Sequence, residues 1–164
     1  MDQRVINDKT AEILAFCLLL LLPIVVMAAG CSRSPEAEAR REMFRGDDLL
    51  RQDEAQLGLQ DNTDRDWSKM TETNSDLFQE AIKHYDKAVK LAPELAEPYY
   101  HRGYALLIHG KLLGAVDDFS LAIKKKPDYA KAYLMRSRAY EGLGGQEKAK
   151  ADHDKALELQ PGID

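Results

Sequence analysis

Residues 99–127 read YYHRGYALLIHGKLLGAVDDFSLAIKKKP, and residues 133–161 read YLMRSRAYEGLGGQEKAKADHDKALELQP. Both stretches begin with tyrosine, continue through a glycine break, and end with two alanines seven residues apart and a closing proline. The second half of the pattern also precedes Pro93, so Pro93, Pro127 and Pro161 lie 34 residues apart. The sequence therefore predicts a repeating unit rather than a set of unrelated helices.

The segment before each proline has the spacing of one helical face. Residues three and four apart in a helix lie on the same side, so each pair of alanines shares a face with the large residue between them. Small alanines allow a second helix to approach closely, and proline cannot continue the helix. The three faces are Ala81, Tyr85 and Ala88; Ala115, Phe119 and Ala122; Ala149, His153 and Ala156.

A first helix precedes two of these second helices, over 99–106 and 133–140, and Gly110 and Gly144 separate the helices of each pair. Helix, glycine turn, helix and proline at this period resemble the tetratricopeptide repeat family. Arg102 and Arg136 stand where the family usually has leucine, and His153 replaces an aromatic residue. The resemblance implies an all-α fold, a short right-handed α-solenoid of helix-turn-helix repeats.

The domain organisation follows from the same period. Counting back from Pro93 places a first helix over 63–76, which lacks the pattern, whereas Phe44, Gly46 and Leu49 reproduce the spacing of the later first helices. We therefore expect that helix over 36–52, followed by a polar insertion. The predicted units are a degenerate first repeat over 36–94 with an insertion over 53–74, a second repeat over 95–128, and a third repeat with the C-terminus over 129–164.

Two smaller features lie in the insertion or directly after it. Asp76 and Gln79 resemble a capping box that starts the next helix. Trp67 is the one tryptophan of the chain. It is interpreted either as a hydrophobic clip that folds the insertion onto the first repeat or as a binding anchor.

The N-terminus carries a targeting signal. Residues 13–30 form an 18-residue run without charge, preceded by Arg4 and Lys9 and followed at once by Cys31. Such a run is an export signal or an anchor. Residues 28–31, Ala-Ala-Gly-Cys, resemble the lipobox of bacterial lipoproteins. The resemblance implies a signal peptide over 1–30, lipidation of Cys31 and a lipidated tether over 31–35.

An uncleaved transmembrane helix is the alternative, for which 18 residues are just sufficient. Arg33, Arg40, Arg41 and Arg45 follow the run, and by the positive-inside rule they favour the opposite orientation. On the lipoprotein interpretation, each buried methylene contributes about 0.8 kcal/mol to membrane binding. Ser32 in place of aspartate then implies the outer membrane, facing the periplasm, in a cell that has two membranes. The predicted location is the cell envelope.

Charge and motifs argue against several functional classes. The net charge is −5 at pH 7, which is unfavourable for binding nucleic acid. No phosphate-binding glycine loop and no nucleophile elbow occur, and the four histidines lack the spacing of a metal site. We predict no enzymatic activity, no catalytic residue, no metal and no cofactor.

Recognition of a protein partner is the functional class that remains. The resemblance to the tetratricopeptide repeat implies it, because that family binds peptides or helices along the concave surface of its first helices. Only Lys131 fits the lysine and asparagine pattern of the chaperone-tail clamp found in some members. Leu107 and Leu134 are equally compatible with packing between helices, whereas Lys131 and Arg138 are suited to orienting a carboxylate. The predicted groove comprises Tyr100, Tyr104, Leu107, Lys131, Leu134 and Arg138.

The predicted function is a membrane-anchored adaptor that binds a segment of another envelope protein. The alternative is an accessory subunit that assembles an envelope machine such as a pilus, a secretion system, or an outer-membrane or peptidoglycan complex. Repeat arrays normally need a polar cap. Leu143, Leu157 and Leu159 therefore suggest an apolar patch that a second copy or a partner covers.

Overall fold

The computed structural model describes residues 34–58, 66 and 72–163 of the 164-residue chain. Within these ranges the regular structure consists of helices alone, which confirms the predicted all-α fold. Cys31, Trp67 and the signal peptide predicted over 1–30 lie outside the described residues. The helices are α1 (Pro35–Leu57), α2 (Asp76–Leu91), α3 (Glu97–Ile108), α4 (Leu112–Lys125), α5 (Ala130–Gly142) and α6 (Gln146–Leu159).

The six described helices pack as three pairs: α1 on α2, α3 on α4 and α5 on α6. Contacts of α2 with α3 and of α4 with α5 join the pairs into one array. In addition, α1 touches α3 and α3 touches α5, whereas the described residues of α2, α4 and α6 make no such contacts with one another. The first helices are therefore closer together than the second helices, and they form the inner, concave layer.

The second helix of each pair ends where the sequence predicts it. Helices α2, α4 and α6 each end two residues before a proline, and the intervening residue donates its N–H to the carbonyl of the last patterned alanine. The turns between paired helices contain Gly110 at φ 70° and Gly144 at φ 76°. Glycine has no Cβ, so it adopts this left-handed conformation without steric cost.

The interface within each pair is built on the patterned residues. In the first two pairs both alanines and the aromatic residue between them are fully buried, whereas His153 is half-buried in the third pair. In these first two pairs, a glycine of the first helix lies against the aromatic ring of the second helix. A Cβ added to Gly46 would lie 2.6 Å from Cε1 of Tyr85, and one added to Gly103 would lie 3.0 Å from Cε1 of Phe119.

The first repeat differs from the sequence prediction at both edges of its insertion. Helix α1 continues to Leu57 rather than ending at Gln52, and Gly58 closes it at φ 69°. The polar residues after Gln52 suggested a loop, yet Asp53 is buried beside Ser75, which precedes α2, and His109, which follows α3. The N-cap of α2 is Ser75 rather than Asp76, because Ser75 Oγ accepts the N–H of Phe78 at 3.0 Å.

Arginine in place of the usual leucine forms an ion pair in both later repeats. Nε and Nη2 of Arg102 each lie 2.7 Å from a carboxylate oxygen of Asp118 in the same pair of helices. Its third nitrogen, Nη1, donates to Asp86 of the preceding repeat at 2.7 Å. Arg136 repeats the arrangement with Asp152, and its Nη1 donates to Ser120 of the preceding repeat at 3.0 Å.

Candidate functional site

A pocket of about 280 Å³ lies on the concave layer between α1 and α3. We call it the α1–α3 pocket. Its floor and walls combine two carboxylates, two tyrosine rings, a leucine, an arginine and a histidine. The residues that line it are Asp47, Leu50, Arg51, Glu54, Tyr100, His101 and Tyr104.

Asp47 is held in place from two sides. Its Oδ1 accepts a hydrogen bond from the hydroxyl of Tyr85 at 2.8 Å and lies 2.8 Å from Nδ1 of His101. Burial raises the pKa of Tyr85, and the negative charge of Asp47 raises it further, so this hydroxyl stays a proton donor. The Asp47 side chain keeps 21 % of its surface exposed. Its carboxylate is therefore preorganised and remains accessible from the pocket.

Tyr100 and Tyr104, two of the three tyrosines of α3, line the pocket and contact different neighbours. The Tyr100 ring lies 5.0 Å from that of Tyr129 and 5.9 Å from that of Phe119, centroid to centroid. Burial raises the pKa of Tyr100, and the positive charge of Arg138 opposes that rise. Tyr104 is one turn further along α3, and its hydroxyl donates to Glu54 at 3.3 Å. Both rings are partly buried against the core and line the pocket, Tyr100 beside other aromatic rings and Tyr104 beside Glu54.

The structure corrects two residues of the predicted groove. Leu107 is 0 % exposed and Leu134 is 5 % exposed, and both belong to the hydrophobic core. Both side chains lie on the buried faces of α3 and α5, and the pocket beside α1 is lined by aromatic and acidic side chains instead. Lys131 is exposed and Arg138 is half-buried on α5, and neither lines the α1–α3 pocket.

A second polar cluster lies in the interior at the end of α3. His109 and Asp53 are both almost fully buried, and Nε2 of His109 lies 2.7 Å from Oδ2 of Asp53. Neither atom has a further hydrogen-bonding partner among the described residues. Oγ1 of Thr73 lies 2.8 Å from the other ring nitrogen, and the ring stacks on Phe78 at 4.0 Å. Burial lowers the pKa of His109, and the charge of Asp53 opposes this.

This interior cluster is a structural connection. Ser75 donates to Oδ1 of Asp53, and the backbone N–H of Thr73 donates to the carbonyl of His109 at 3.1 Å. The cluster thereby joins the end of α1, the segment before α2 and the turn after α3. In the described ranges, no group of three His, Cys, Asp or Glu residues has the geometry to hold a metal ion.

The three leucines of the predicted apolar patch do not form one exposed surface. Leu157 and Leu159 are partly buried against the core, whereas Leu143 is exposed. Leu143 lines a cavity of about 660 Å³ together with the exposed Leu113 and with Tyr140. This cavity lies at the glycine-turn edge of the second and third repeats, away from the α1–α3 pocket.

Comparison with known families agrees with the architecture. A family model described as TPR repeat matches residues 78–110, and one described as tetratricopeptide repeat matches residues 130–163. The chain is a tetratricopeptide repeat protein. The tetratricopeptide matches include α3, which supplies the tyrosine wall of the α1–α3 pocket, and α5, which carries Lys131 and Arg138.

Tetratricopeptide proteins of several kinds are similar to this chain. The Hsp70-Hsp90 organizing protein of wheat, Triticum aestivum, is 36 % identical over 84 residues, which are 51 % of this chain and 14 % of that protein. The first TPR domain of human RPAP3 is 25 % identical, with a TM-score of 0.59 over 79 % of this chain and 83 % of that one. MamA is 31 % identical, with a TM-score of 0.51 over 54 % of this chain and 52 % of that one.

The acidic half of the pocket was missed by the sequence analysis, which extended the tetratricopeptide groove only over the second and third repeats. Gly46 contacts Tyr85 as Gly103 contacts Phe119, so the residue after each glycine occupies the same place on the inner face. Asp47 in the first repeat thus corresponds to Tyr104 in the second. The position of Asp47 could therefore be predicted from the spacing in the sequence. The position of Glu54 could not, because Glu54 was assigned to the insertion.

Proposed function

We propose that this protein is a lipid-anchored, non-enzymatic adaptor of the bacterial cell envelope that binds a segment of a partner protein in the concave face of its repeats. The observation that carries the proposal is the α1–α3 pocket on the inner layer. Concave sites with a few well-placed polar groups are the usual form of binding sites. Tyrosine offers a large contact area at low cost in conformational entropy, which suits it to recognition.

The name of the wheat relative, an organizing protein for Hsp70 and Hsp90, supports a role in bringing proteins together. The matched region is a small part of that protein, so its partners are not carried over. For this chain we propose an envelope protein as the partner. An accessory subunit of an envelope machine is the alternative function. The accessory subunit is expected in fixed stoichiometry with the finished machine, whereas the adaptor is not.

Photo-cross-linking in living cells tests the binding face. A benzophenone amino acid replaces Arg51, whose side chain is 73 % exposed at the rim of the pocket, or Leu121, which is exposed on α4 of the outer layer. We expect a discrete cross-linked partner from position 51 and none from position 121. Equal products from both positions, or products from position 121 alone, contradict binding in the concave face.

The anchor is tested separately. None of the described helices is long and apolar enough to span a membrane. The proposed anchor is argued from the sequence around Cys31. Helix α1 begins at Pro35, four residues after Cys31, and four residues span at most about 14 Å. The lipid would hold the first repeat next to the bilayer surface.

We expect palmitate labelling and membrane fractionation of the wild type, and loss of both in Cys31→Ser. Cys17→Ser is the matched control, since Cys17 lies in the predicted signal peptide. Membrane association without label in the wild type would favour an uncleaved transmembrane helix.

A further inference from the structure

Helix α1 carries arginines and an aromatic ring on its exposed side. Between Ala39 and Gly46 every exposed residue is an arginine or a phenylalanine. Phe44 keeps 62 % of its surface exposed, which is unusual for a large aromatic side chain. The chain as a whole has a net charge of −5, so this concentration of arginine is local. We call these residues the α1 basic face: Arg40, Arg41, Phe44 and Arg45.

The carboxylates beside this face are matched by cations. Glu42 lies beneath the face, 3 % exposed, and contacts both Arg45 at 2.8 Å and Lys87 at 2.9 Å. Lys87 also lies 3.7 Å from Glu38, the other carboxylate at this place. Two cations therefore balance two carboxylates before the remaining arginines of the face are counted.

Arg40 is in excess of these matched charges, and it makes the face positive. In the following turns Asp48 and Arg51 pair with each other at 2.9 Å, so they leave the balance unchanged. Glu36, at the start of α1, lines a different cavity together with Leu91 to Leu95. A positive face with an exposed aromatic ring at its centre is suited to a negatively charged surface that also admits apolar groups.

The proposed anchor brings such a surface next to this face. Four residues separate Cys31 from Pro35, the first residue of α1, and they span at most about 14 Å. Phe44 lies nine residues further along the helix, roughly 14 Å at the helical rise. Peripheral binding to a membrane combines buried apolar area with attraction to anionic lipids, and this face offers both.

We propose that the α1 basic face rests on the anionic surface of a phospholipid bilayer, with Phe44 among the headgroups and Arg40 and Arg45 against lipid phosphates. The inference rests on the proposed function, because the lipid on Cys31 brings the face to the bilayer. Guanidinium groups pair with phosphate through two parallel hydrogen bonds. Arg45 gives Nη1 to Glu42 and stays 62 % exposed, so its other donors reach the lipid. The lipid and the face together hold the repeats in one orientation.

Photo-cross-linking in vesicles is a direct test. The full chain, purified with its anchor, is reconstituted in vesicles of phosphatidylethanolamine with phosphatidylglycerol, or of phosphatidylcholine alone. A benzophenone amino acid replaces Phe44 or, as the control, Leu113, which is 71 % exposed on α4. Mass spectrometry measures the yield of phospholipid adducts. We expect a high yield from position 44 in the anionic vesicles, a severalfold lower yield in phosphatidylcholine, and a low yield from position 113 in both.

Matched charge variants locate the effect. With the probe at position 44, Arg40→Gln is expected to lower the adduct yield in anionic vesicles by up to about fivefold, because one arginine near the surface is removed. Lys124→Gln, at an exposed position of α4, is expected to leave the yield unchanged. Thermal unfolding checks that both variants keep the fold.

Three results overturn the inference. The first is an equal yield of lipid adducts from positions 44 and 113. The second is a yield from position 44 that neither Arg40→Gln nor the absence of phosphatidylglycerol lowers. The third is a cross-link from position 44 in living cells to a protein instead of phospholipid, which would make the face a protein interface.

The anchor and the face fail separately. Palmitate label on the wild type, together with equal lipid adducts from positions 44 and 113, retains the lipid anchor and refutes the face. Adducts from position 44 that depend on Arg40, without palmitate label, support the face and contradict lipidation of Cys31. Cross-linking of a partner from position 51 tests the adaptor independently of both.

Discussion

Arg102 and Asp118 join the two helices of one repeat through a pair of 2.7 Å hydrogen bonds, and Arg136 and Asp152 form the equivalent pair, at 2.7 and 2.8 Å, 34 residues later. Each arginine also donates to the preceding repeat, to Asp86 or Ser120. The hydrogen bonds to Asp118 raise the pKa of Arg102 above its ordinary value. One side chain thus fixes both the geometry of its own helix pair and the contact with the previous pair.

Arg102→Leu tests this connection, because leucine is the residue usual at this place in the family. The change leaves the Asp118 side chain, 5 % exposed, without its partner. We expect the free energy of unfolding, measured in urea, to fall by about 3 kcal/mol. The double variant Arg102→Leu, Asp118→Leu should regain at least part of that loss, since an apolar pair leaves no buried charge. A double variant less stable than the single one contradicts this explanation.

Gly46→Ala tests the close contact of α1 with α2. The new methyl group would meet the ring of Tyr85, which the hydrogen bond to Asp47 holds in position. Overpacking is expected to cost about 1–3 kcal/mol, even though alanine favours a helix by about 1 kcal/mol. Gly114→Ala is the control, because its methyl group would lie 3.3 Å from the flexible end of Leu106. Thermal unfolding should show a loss for the first variant and little change or a gain for the second.

The buried His109 predicts a loss of stability in mild acid. Its folded-state pKa is lowered, so the unfolded chain binds a proton more readily. Stability is therefore fully present above pH 6.5, the ordinary value, and is lost as the pH falls below it. Urea unfolding at pH 7.5, 6.5 and 5.5 measures this slope. His109→Gln should flatten it, and a slope as steep as that of the wild type contradicts this explanation.

Glu42 predicts a second loss at lower pH. Its side chain is 3 % exposed, Lys87 donates to it at 2.9 Å, and Nδ1 of His84 lies 2.7 Å away. Hydrogen bonds from Lys87 and His84 lower the pKa of Glu42 from 4.5 to about 2. This carboxylate therefore stabilises the fold above pH 4.5, and the contribution is lost between pH 4.5 and about 2. Circular dichroism during acid titration should show a shallower slope in Glu42→Gln than in Glu80→Gln.

Most of the fold could be predicted from the sequence because it depends on local and periodic signals. Proline and glycine restrict the backbone wherever they occur, so the ends of α2, α4 and α6 were predictable from single residues. The alanines and aromatic residues of the buried faces follow from helical spacing. Gly58 closes α1 by the same rule, but the polar residues before it suggested a loop, and only the structure shows Asp53 buried beside His109 and Ser75.

The candidate site was only partly predictable for the same reason. Tyr100 and Tyr104 could be assigned to the inner face by their place in the repeat, yet that place did not separate them from the buried Leu107. Whether a residue at the edge of a helical face is buried depends on how the neighbouring helices pack against that face. The network of Asp47, Tyr85 and His101 also joins three different helices.

The sequence by itself determined the period and the helix pairs, because these follow from backbone restrictions and from spacing within one helix, and the resemblance to the tetratricopeptide repeat implied the aromatic side of the concave face. Only the tertiary structure decided that carboxylates of α1 lie opposite the tyrosines of α3. That juxtaposition joins residues about 50 positions apart, such as Glu54 and Tyr104. Such distant contacts arise from the packing of whole repeats, which no local pattern encodes.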